Sequence, residues 1–323
     1  MFGGIISKIM GISKSKTVFI TGANGFIGAN LINLLLEKDY RIHALVRKDA
    51  NLWRIKNIAK KIKLHEADIC QPEKLNKILK RVNPNYIFHL ASYGNSSADT
   101  DLSKMINVNI LGLKNLLEAT KEIKYEALVI TGSSSEYGFK NKPMRETDNL
   151  EPNSYYSATK AAATLLAQSF AMLNNKPIRI VRLFSVYGPL EENNRLVPIV
   201  INSAINNKQI FTTSGKVRRD FIYVKDVAEA ILKVAKTKLK NGEIINLGTA
   251  KQTDNKEIIR IIGQILDKKL NVKIGNFVQK PWDTNYWVAN TSKATKMLNW
   301  KPKYTLKAGL KKTITFYKAN LND

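Results

Sequence analysis

Residues 20–28 read Ile-Thr-Gly-Ala-Asn-Gly-Phe-Ile-Gly. An apolar run, Thr17 to Ile20, leads into them, and an amphipathic stretch, Phe26 to Leu36, leaves them. The glycines are spaced Gly22-x-x-Gly25-x-x-Gly28, so a strand turns into a helix through a turn with no side chains at the glycine positions to hold a ligand away. Backbone N–H groups at the positive end of that helix suit the pyrophosphate of a dinucleotide. The spacing is not the G-x-G-x-x-G of the commoner fingerprint, and similar glycine turns also serve purely structural ends.

Outward from this turn, β-branched apolar runs alternate with amphipathic segments. Strands are expected at Thr17–Ile20, Arg41–Val46, Lys61–His65, Tyr86–Leu90, Ala127–Thr131 and Ile178–Leu183. Helices are expected at Phe26–Glu37, Pro72–Val82, Leu102–Glu122 and Tyr155–Asn174. The alternation predicts an α/β fold of Rossmann type, a doubly wound parallel sheet that binds ligands at the carboxyl ends of its strands. Beyond about residue 184 the pattern loosens around Gly188-Pro189 and Gly215, with helical spacing at Leu196–Asn206, Val224–Lys236 and Asn255–Leu266. The expected organisation is an N-terminal extension (1–16), a mainly dinucleotide-binding domain (17–184), and a smaller C-terminal substrate lobe (185–323) with segments returning to the sheet.

A chain of 323 residues can bury a sizeable core. Its single cysteine, Cys70, excludes an internal disulfide framework and fits a reducing, cytoplasmic compartment. His43, His65 and His89 lack metal-ligand spacing, so no metal site is expected. The net charge of +26 is spread along the chain without a recognition motif. It therefore reads as a solvated basic surface that steers anionic small substrates, with no specific nucleic-acid partner. Residues 1–16 mix Phe2, Ile5, Ile6, Ile9, Met10 and Ile12 with lysines. They are too short to span a bilayer, and read as a frayed tail or docked helix, or else as a loose membrane contact.

Tyr156 and Lys160 lie four apart at the start of a helical segment, so they share a face. A phenol titrates near ~10 and is a poor base at neutral pH. A neighbouring ammonium and an oxidised nicotinamide favour the phenolate, which makes Tyr156 a usable acid or base. Thr131-Gly132-Ser133-Ser134-Ser135-Glu136-Tyr137-Gly138 sets hydroxyls at a strand end, where one can donate to an oxygen that gains charge during hydride transfer.

In order, the glycine turn, Asp68-Ile69, His89-Leu90-Ala91, Ser133 to Gly138 and Tyr156-x-x-x-Lys160 resemble the extended short-chain dehydrogenase/reductase family. The likeness is to its nucleotide-sugar epimerases, dehydratases and reductases. It continues through Arg182-Leu183-Phe184-Ser185-Val186-Tyr187-Gly188-Pro189, Arg219 to Asp226 and Asn299-Trp300-Lys301-Pro302. The resemblance implies a pyrophosphate turn of Gly22, Asn24, Gly25, Phe26, Ile27 and Gly28. It also implies an adenine border of Asp68 and Ile69, and a path to the nicotinamide lined by Leu90, Ala91 and Ser92. By the same likeness Ser133, four residues before Tyr137, is the catalytic hydroxyl, with Ser134 as the other register. Tyr156 becomes the acid/base and Lys160 the ribose-binding ammonium, while Arg219 and Lys280 meet the substrate diphosphate. A homodimer through the 102–122 and 155–174 helices is implied as well.

Two departures bear on the reaction. Dehydratases of the family commonly place an acid one or two residues after the catalytic hydroxyl, whereas here Glu136 stands three after Ser133. The second strand ends Leu45-Val46-Arg47-Lys48, where NAD enzymes usually carry an acid for the ribose 2′-hydroxyl. Arg47 therefore favours NADP over NAD. On that signal the expected activity is a 4-keto-6-deoxysugar-nucleotide reductase of surface-polysaccharide synthesis. A cofactor-retaining 4-epimerase is the alternative, a dehydratase has less support, and a dinucleotide sensor without catalysis is the reading from another class.

Overall fold

The computed structural model describes residues 15–96, 99–212, 217–275 and 284–320. Its central sheet contains β1 (Thr17–Thr21), β2 (Arg41–Val46), β3 (Lys63–Glu66), β4 (Tyr86–His89), β5 (Ala127–Ser133), β6 (Ile178–Leu183) and β7 (Glu243–Leu247). All pairings are parallel, in the order β7-β6-β5-β4-β1-β2-β3. The order reverses around β1, which lies between β2 and β4 and so opens a crevice at its carboxyl end.

The helices are α1 (Phe26–Glu37), α2 (Pro72–Val82), α3 (Leu102–Ile106, then a π-helical turn Asn107–Leu111, then Gly112–Ala119), α4 (Tyr155–Leu173), α5 (Leu196–Ile205), α6 (Val224–Lys236), α7 (Asn255–Leu266), α8 (Ser292–Leu298) and α9 (Leu306–Ala319). Every residue of β1, β4 and β6 is buried, the signature of strands covered on both faces. Val18 and Ile20 pack with Leu31 and Leu35 of α1 and Val227 and Ile231 of α6. Phe19 points the other way, into a layer with Leu75 of α2, Leu116 of α3 and Ala167 of α4. One strand with alternating side-chain direction thus supports both helical layers.

Two elements differ from the sequence expectation. The third strand starts at Lys63, because Trp53–Lys61 winds into a 3₁₀ segment whose end is closed by the Ile62 amide on the Ala59 carbonyl. The 102–122 helix contains the π-helical turn, which carries the buried Asn109 inward.

Past β6 the chain builds a second core from Val200 and Ile201 of α5, Ile258 and Ile262 of α7, and Leu310 and Ile314 of α9. It returns to the main sheet as β7, paired in register with β6 from Glu243↔Arg179 to Leu247↔Leu183. Buried Asp226 of α6 accepts the amides of Lys303 (2.9 Å) and Tyr304 (3.1 Å), fixing the segment that enters α9. Among the described residues no helix is long and apolar enough to cross a membrane. Residues 1–14, which carry the possible membrane contact, lie outside the described residues.

Candidate active site

The crevice at β1 is shaped by backbone proximity. Gly22 has φ +69°, and a Cβ there would lie 2.5 Å from the Ala91 nitrogen. At Gly28 a Cβ would stand 2.2 Å from the Gly22 carbonyl, so any side chain would force the turn off the helix. No side chain caps α1 at Gly25, and no acid occupies its first turn. An anion therefore meets the helix N-terminus without a competing carboxylate, and the residues fit a dinucleotide diphosphate.

Of the expected cofactor residues outside this turn, Leu90 and Ala91 stand directly against it. The Leu90 amide donates to the Thr21 carbonyl (3.1 Å), and the Ala91 amide to the Thr21 hydroxyl (3.3 Å), which ties the 90–92 segment to the end of β1. The same hydroxyl meets Nδ1 of buried His89 at 2.7 Å. Burial, with Lys160 adding to it, pushes that imidazole down to about 3, so it is neutral at physiological pH. Ser92, the next residue along, is exposed. Asp68 accepts the Cys70 amide at 2.8 Å, and Ile69 is buried against Gly112 of α3. Asn24 reaches sideways to the Asn51 carbonyl (3.1 Å), and Arg47 is exposed just past β2.

The chemical cluster forms where β5 meets α4. Ser154 caps the helix through the Ser157 amide, which fixes the first turn that carries Tyr156. The Ser133 side chain lies close enough to the Tyr156 phenol to favour its ionised form, and its hydroxyl meets that of Ser135 at 2.7 Å. Burial pushes that phenol up to about 12, opposed by Ser133 and Arg195 and reinforced by the Glu136 charge. The Lys160 ammonium, buried one turn along, donates to the Thr131 carbonyl at 2.6 Å. Burial lowers its pKa and Glu136 raises it. Ser133, Tyr156 and Lys160 are thereby brought together. Ser134 turns away, its hydroxyl accepting the Trp287 indole N–H at 3.0 Å.

Behind Ser133 lies a buried ion pair. Glu136 accepts the Ser133 amide with one oxygen and the Arg182 Nε with the other, both at 2.7 Å. Arg182 lies over the Tyr137 ring, 4.5 Å from its centroid, and the Tyr137 hydroxyl donates to Asn246 at 2.7 Å. On the other side Arg219 lies 5.1 Å from the Trp287 ring centroid. Asp220, fully buried, accepts amides from Thr249 (2.7 Å), Ala250 (3.0 Å) and Ala289 (3.1 Å). Lys280 lies outside the described residues.

Sequence reasoning passed over two residues at this site. Asn109 accepts the Tyr93 amide and donates to the Tyr93 carbonyl, each at 2.8 Å, and reaches the Thr159 hydroxyl beside Lys160 at 3.0 Å. A buried asparagine inside an amphipathic helix was the available signal. Arg195, at the N-terminus of α5, donates to the Asn95 carbonyl at 2.9 Å and lies close enough to favour the Tyr156 phenolate.

The chain is similar in sequence and shape to enzymes of nucleotide sugars. It is 31% identical over 314 residues to a UDP-glucuronate 4-epimerase from Thermodesulfobacterium geofontis, covering 94% of this chain and 96% of the relative. It is 28% identical to the dTDP-D-glucose 4,6-dehydratase of Homo sapiens, over 96% of this chain and 92% of that one. Among solved structures, the UDP-glucuronic acid 4-epimerase from Bacillus cereus, in complex with UDP-glucuronic acid and NAD, superposes with a TM-score of 0.83 at 27% identity. That match covers 94% of this chain and 99% of the neighbour. The model of the NAD dependent epimerase/dehydratase family matches residues 18–248. With its parallel sheet and glycine crevice, the chain belongs to the NAD-dependent epimerase/dehydratase family.

Proposed function

We propose that the chain is a nucleotide-sugar 4-epimerase that oxidises C4 of the sugar and reduces it again from the opposite face. The observation that carries this reading is the disposition of carboxylates beside Tyr156. The position two residues after Ser133, where a dehydratase would hold an acid, is Ser135, and its hydroxyl meets that of Ser133 at 2.7 Å. Glu136 is committed to Arg182 and the Ser133 amide. Water elimination therefore lacks its acid. The relatives named above are a 4-epimerase and a 4,6-dehydratase, which supports redox-neutral turnover over the net reduction suggested by Arg47.

In this reading the Tyr156 oxygen removes the proton of the C4 hydroxyl, with Ser133 hydrogen-bonded to the reacting oxygen. After the sugar turns its other face, Tyr156 returns the proton. A bound nicotinamide dinucleotide supplies the hydride acceptor and donor and, when oxidised, a positive charge beside the phenol. Lys160 holds the ribose and adds positive charge along the same helix face. Gly22, Asn24, Gly25, Phe26, Ile27 and Gly28 hold the diphosphate, with Leu90, Ala91 and Ser92 beside the nicotinamide end and Asp68 and Ile69 beside the adenine. Arg47, followed by Lys48, supports NADP, although the solved neighbour above carries NAD. The region after residue 185 brings Trp287 and Arg219 over the Ser134 side of the site, where a substrate diphosphate would meet the guanidinium.

Leu102, Ile106 and Leu111 of α3 and Leu165, Met172 and Leu173 of α4 are exposed. These apolar faces support a homodimer through the two helices. The test of function is incubation with UDP-glucuronate, UDP-glucose and dTDP-glucose without added reductant, followed by proton NMR at C4. A C4 epimer formed without consumption of NADPH supports the reading. A 4-keto-6-deoxy product, or NADPH used one-for-one with a 4-keto sugar, would replace it by dehydration or reduction.

A further inference from the structure

We infer that Glu136 and Arg182 are a positioning pair for the Ser133 hydroxyl, holding it under the Tyr156 phenol. The inference rests on the reading of Ser133 as the alcohol that meets the reacting oxygen. Its ground is geometric. Ser133 is the last residue of β5, where the sheet stops dictating the backbone, and three serines in a row give the chain several ways to turn. What closes the turn is a reciprocal capping box: the Ser133 hydroxyl accepts the Ser135 amide at 3.1 Å, and Glu136 accepts the Ser133 amide at 2.7 Å.

Glu136 is fully buried, so its carboxylate direction is set by Arg182. Arg182 is fixed in turn by β6 and the Tyr137 ring, and its Nη1 reaches the Glu146 carbonyl at 3.4 Å. On the β5 side the carboxylate fills the space that Gly132 leaves. A Cβ at Gly132 would lie 2.6 Å from the Glu136 carboxylate. A buried pair of this kind adds little net stability over an apolar pair of equal volume. Its worth here lies in direction.

The test uses the Tyr156 titration in dinucleotide-saturated protein, read as phenolate absorbance against the matching Tyr156→Phe control. The groups acting on this phenol are Ser133, Glu136 and Arg195, so the background charge must be held constant. Two neutral backgrounds do that and avoid an unpaired buried charge. One is Glu136→Gln with Arg182→Met, which keeps an acceptor for the Ser133 amide. The other is Glu136→Leu with Arg182→Met, which does not. Circular dichroism melting confirms that both fold.

Ser133→Ala is then added to each, which makes a double-mutant cycle. In the Gln background it should raise the phenol midpoint by roughly half to one pH unit, the size of one hydrogen bond. In the Leu background it should do nothing. An equal shift in both backgrounds would show that Ser133 keeps its place without the pair, and no shift in either would show that it never meets the phenol. Either result overturns the inference. Failure to form a C4 epimer would instead count against the epimerase reading and leave the cycle's outcome standing.

Discussion

The indole N–H of Trp287 donates to the hydroxyl of Ser134 at 3.0 Å, across 153 residues of chain. That bond separates two neighbouring serines that are chemically alike. With Ser134 engaged by Trp287, Ser133 is the serine left close enough to act on the Tyr156 phenol. Ser133→Ala should therefore lower kcat by about 10²–10³-fold, the scale for losing a donor to a developing oxyanion, with KM little changed. Ser134→Ala should leave kcat nearly intact. It should raise KM and cost about 1 kcal/mol in stability, because it releases the indole. Steady-state kinetics of both variants would show a reversed ranking if the register were wrong.

Removing the phenol should separate chemistry from binding. Tyr156→Phe is expected to reduce turnover by about 10²–10⁴-fold, while dinucleotide affinity, measured by calorimetry, stays within a few-fold. The working form is the deprotonated phenol, and burial raises its pKa to about 12 before any cofactor charge acts. The rate should therefore rise with pH and flatten only where the complexed phenol has ionised. A rate that falls as the pH rises through the ionisation of the complexed phenol, or a fully active Tyr156→Phe variant, would remove Tyr156 as the base.

Cofactor choice is read at the end of β2. Arg47→Asp should weaken NADP binding by roughly 10- to 100-fold, the loss of a charge-assisted contact, and change NAD binding far less. Titration calorimetry with both dinucleotides decides it. Equal losses would mean that Arg47 does not read the 2′-phosphate.

A pair of imidazoles sets an acid limit on stability. His43 Nδ1 and His65 Nε2 are 2.8 Å apart on β2 and β3, and the rings stack at 5.1 Å. Burial, then the neighbouring His43, Arg81 and Lys63 charges, pushes His65 down to about 4 from its ordinary 6.5. His43 is lowered too, by burial and by Lys63, Arg41 and Arg81. Between those two values the unfolded chain binds a proton that the folded chain refuses, so stability is full above about 6.5 and falls as the pH drops toward 4. His65→Asn should flatten that decline in melting temperature. An unchanged acid slope would place its cause elsewhere, buried His89 being the next group to test.

Local chemistry was legible where a pattern repeats over a few residues. The β1 turn shows in the sequence because an apolar run ends in glycines, and Tyr156 and Lys160 because four residues make one helical turn. The other decisive features join distant positions. Ser133 and Ser134 are adjacent serines whose partners tell them apart: Ser134 accepts from Trp287, while Ser133 joins the turn with Ser135 and Glu136. Glu136 reads as a possible acid until Arg182, from the next strand, is found against it. Glu243–Leu247 is a short apolar run after a lysine-rich stretch, and its place in the sheet depends on β6 alone. The π-helical turn around Asn109 leaves only a polar residue within an amphipathic run as its sequence signal, and the role of its amide emerges only with Tyr93 and Thr159 against it.

Asp220 ties its own stretch of backbone to two others with a single carboxylate, which accepts from the adjacent Thr249 and Ala250 and from Ala289. The wall on the Trp287 side of the site is consequently not modular. A loop transplanted there from a cousin with a different sugar preference would drag its two companions along, so specificity in this scaffold should change by coordinated replacement of all three stretches rather than by exchange of one.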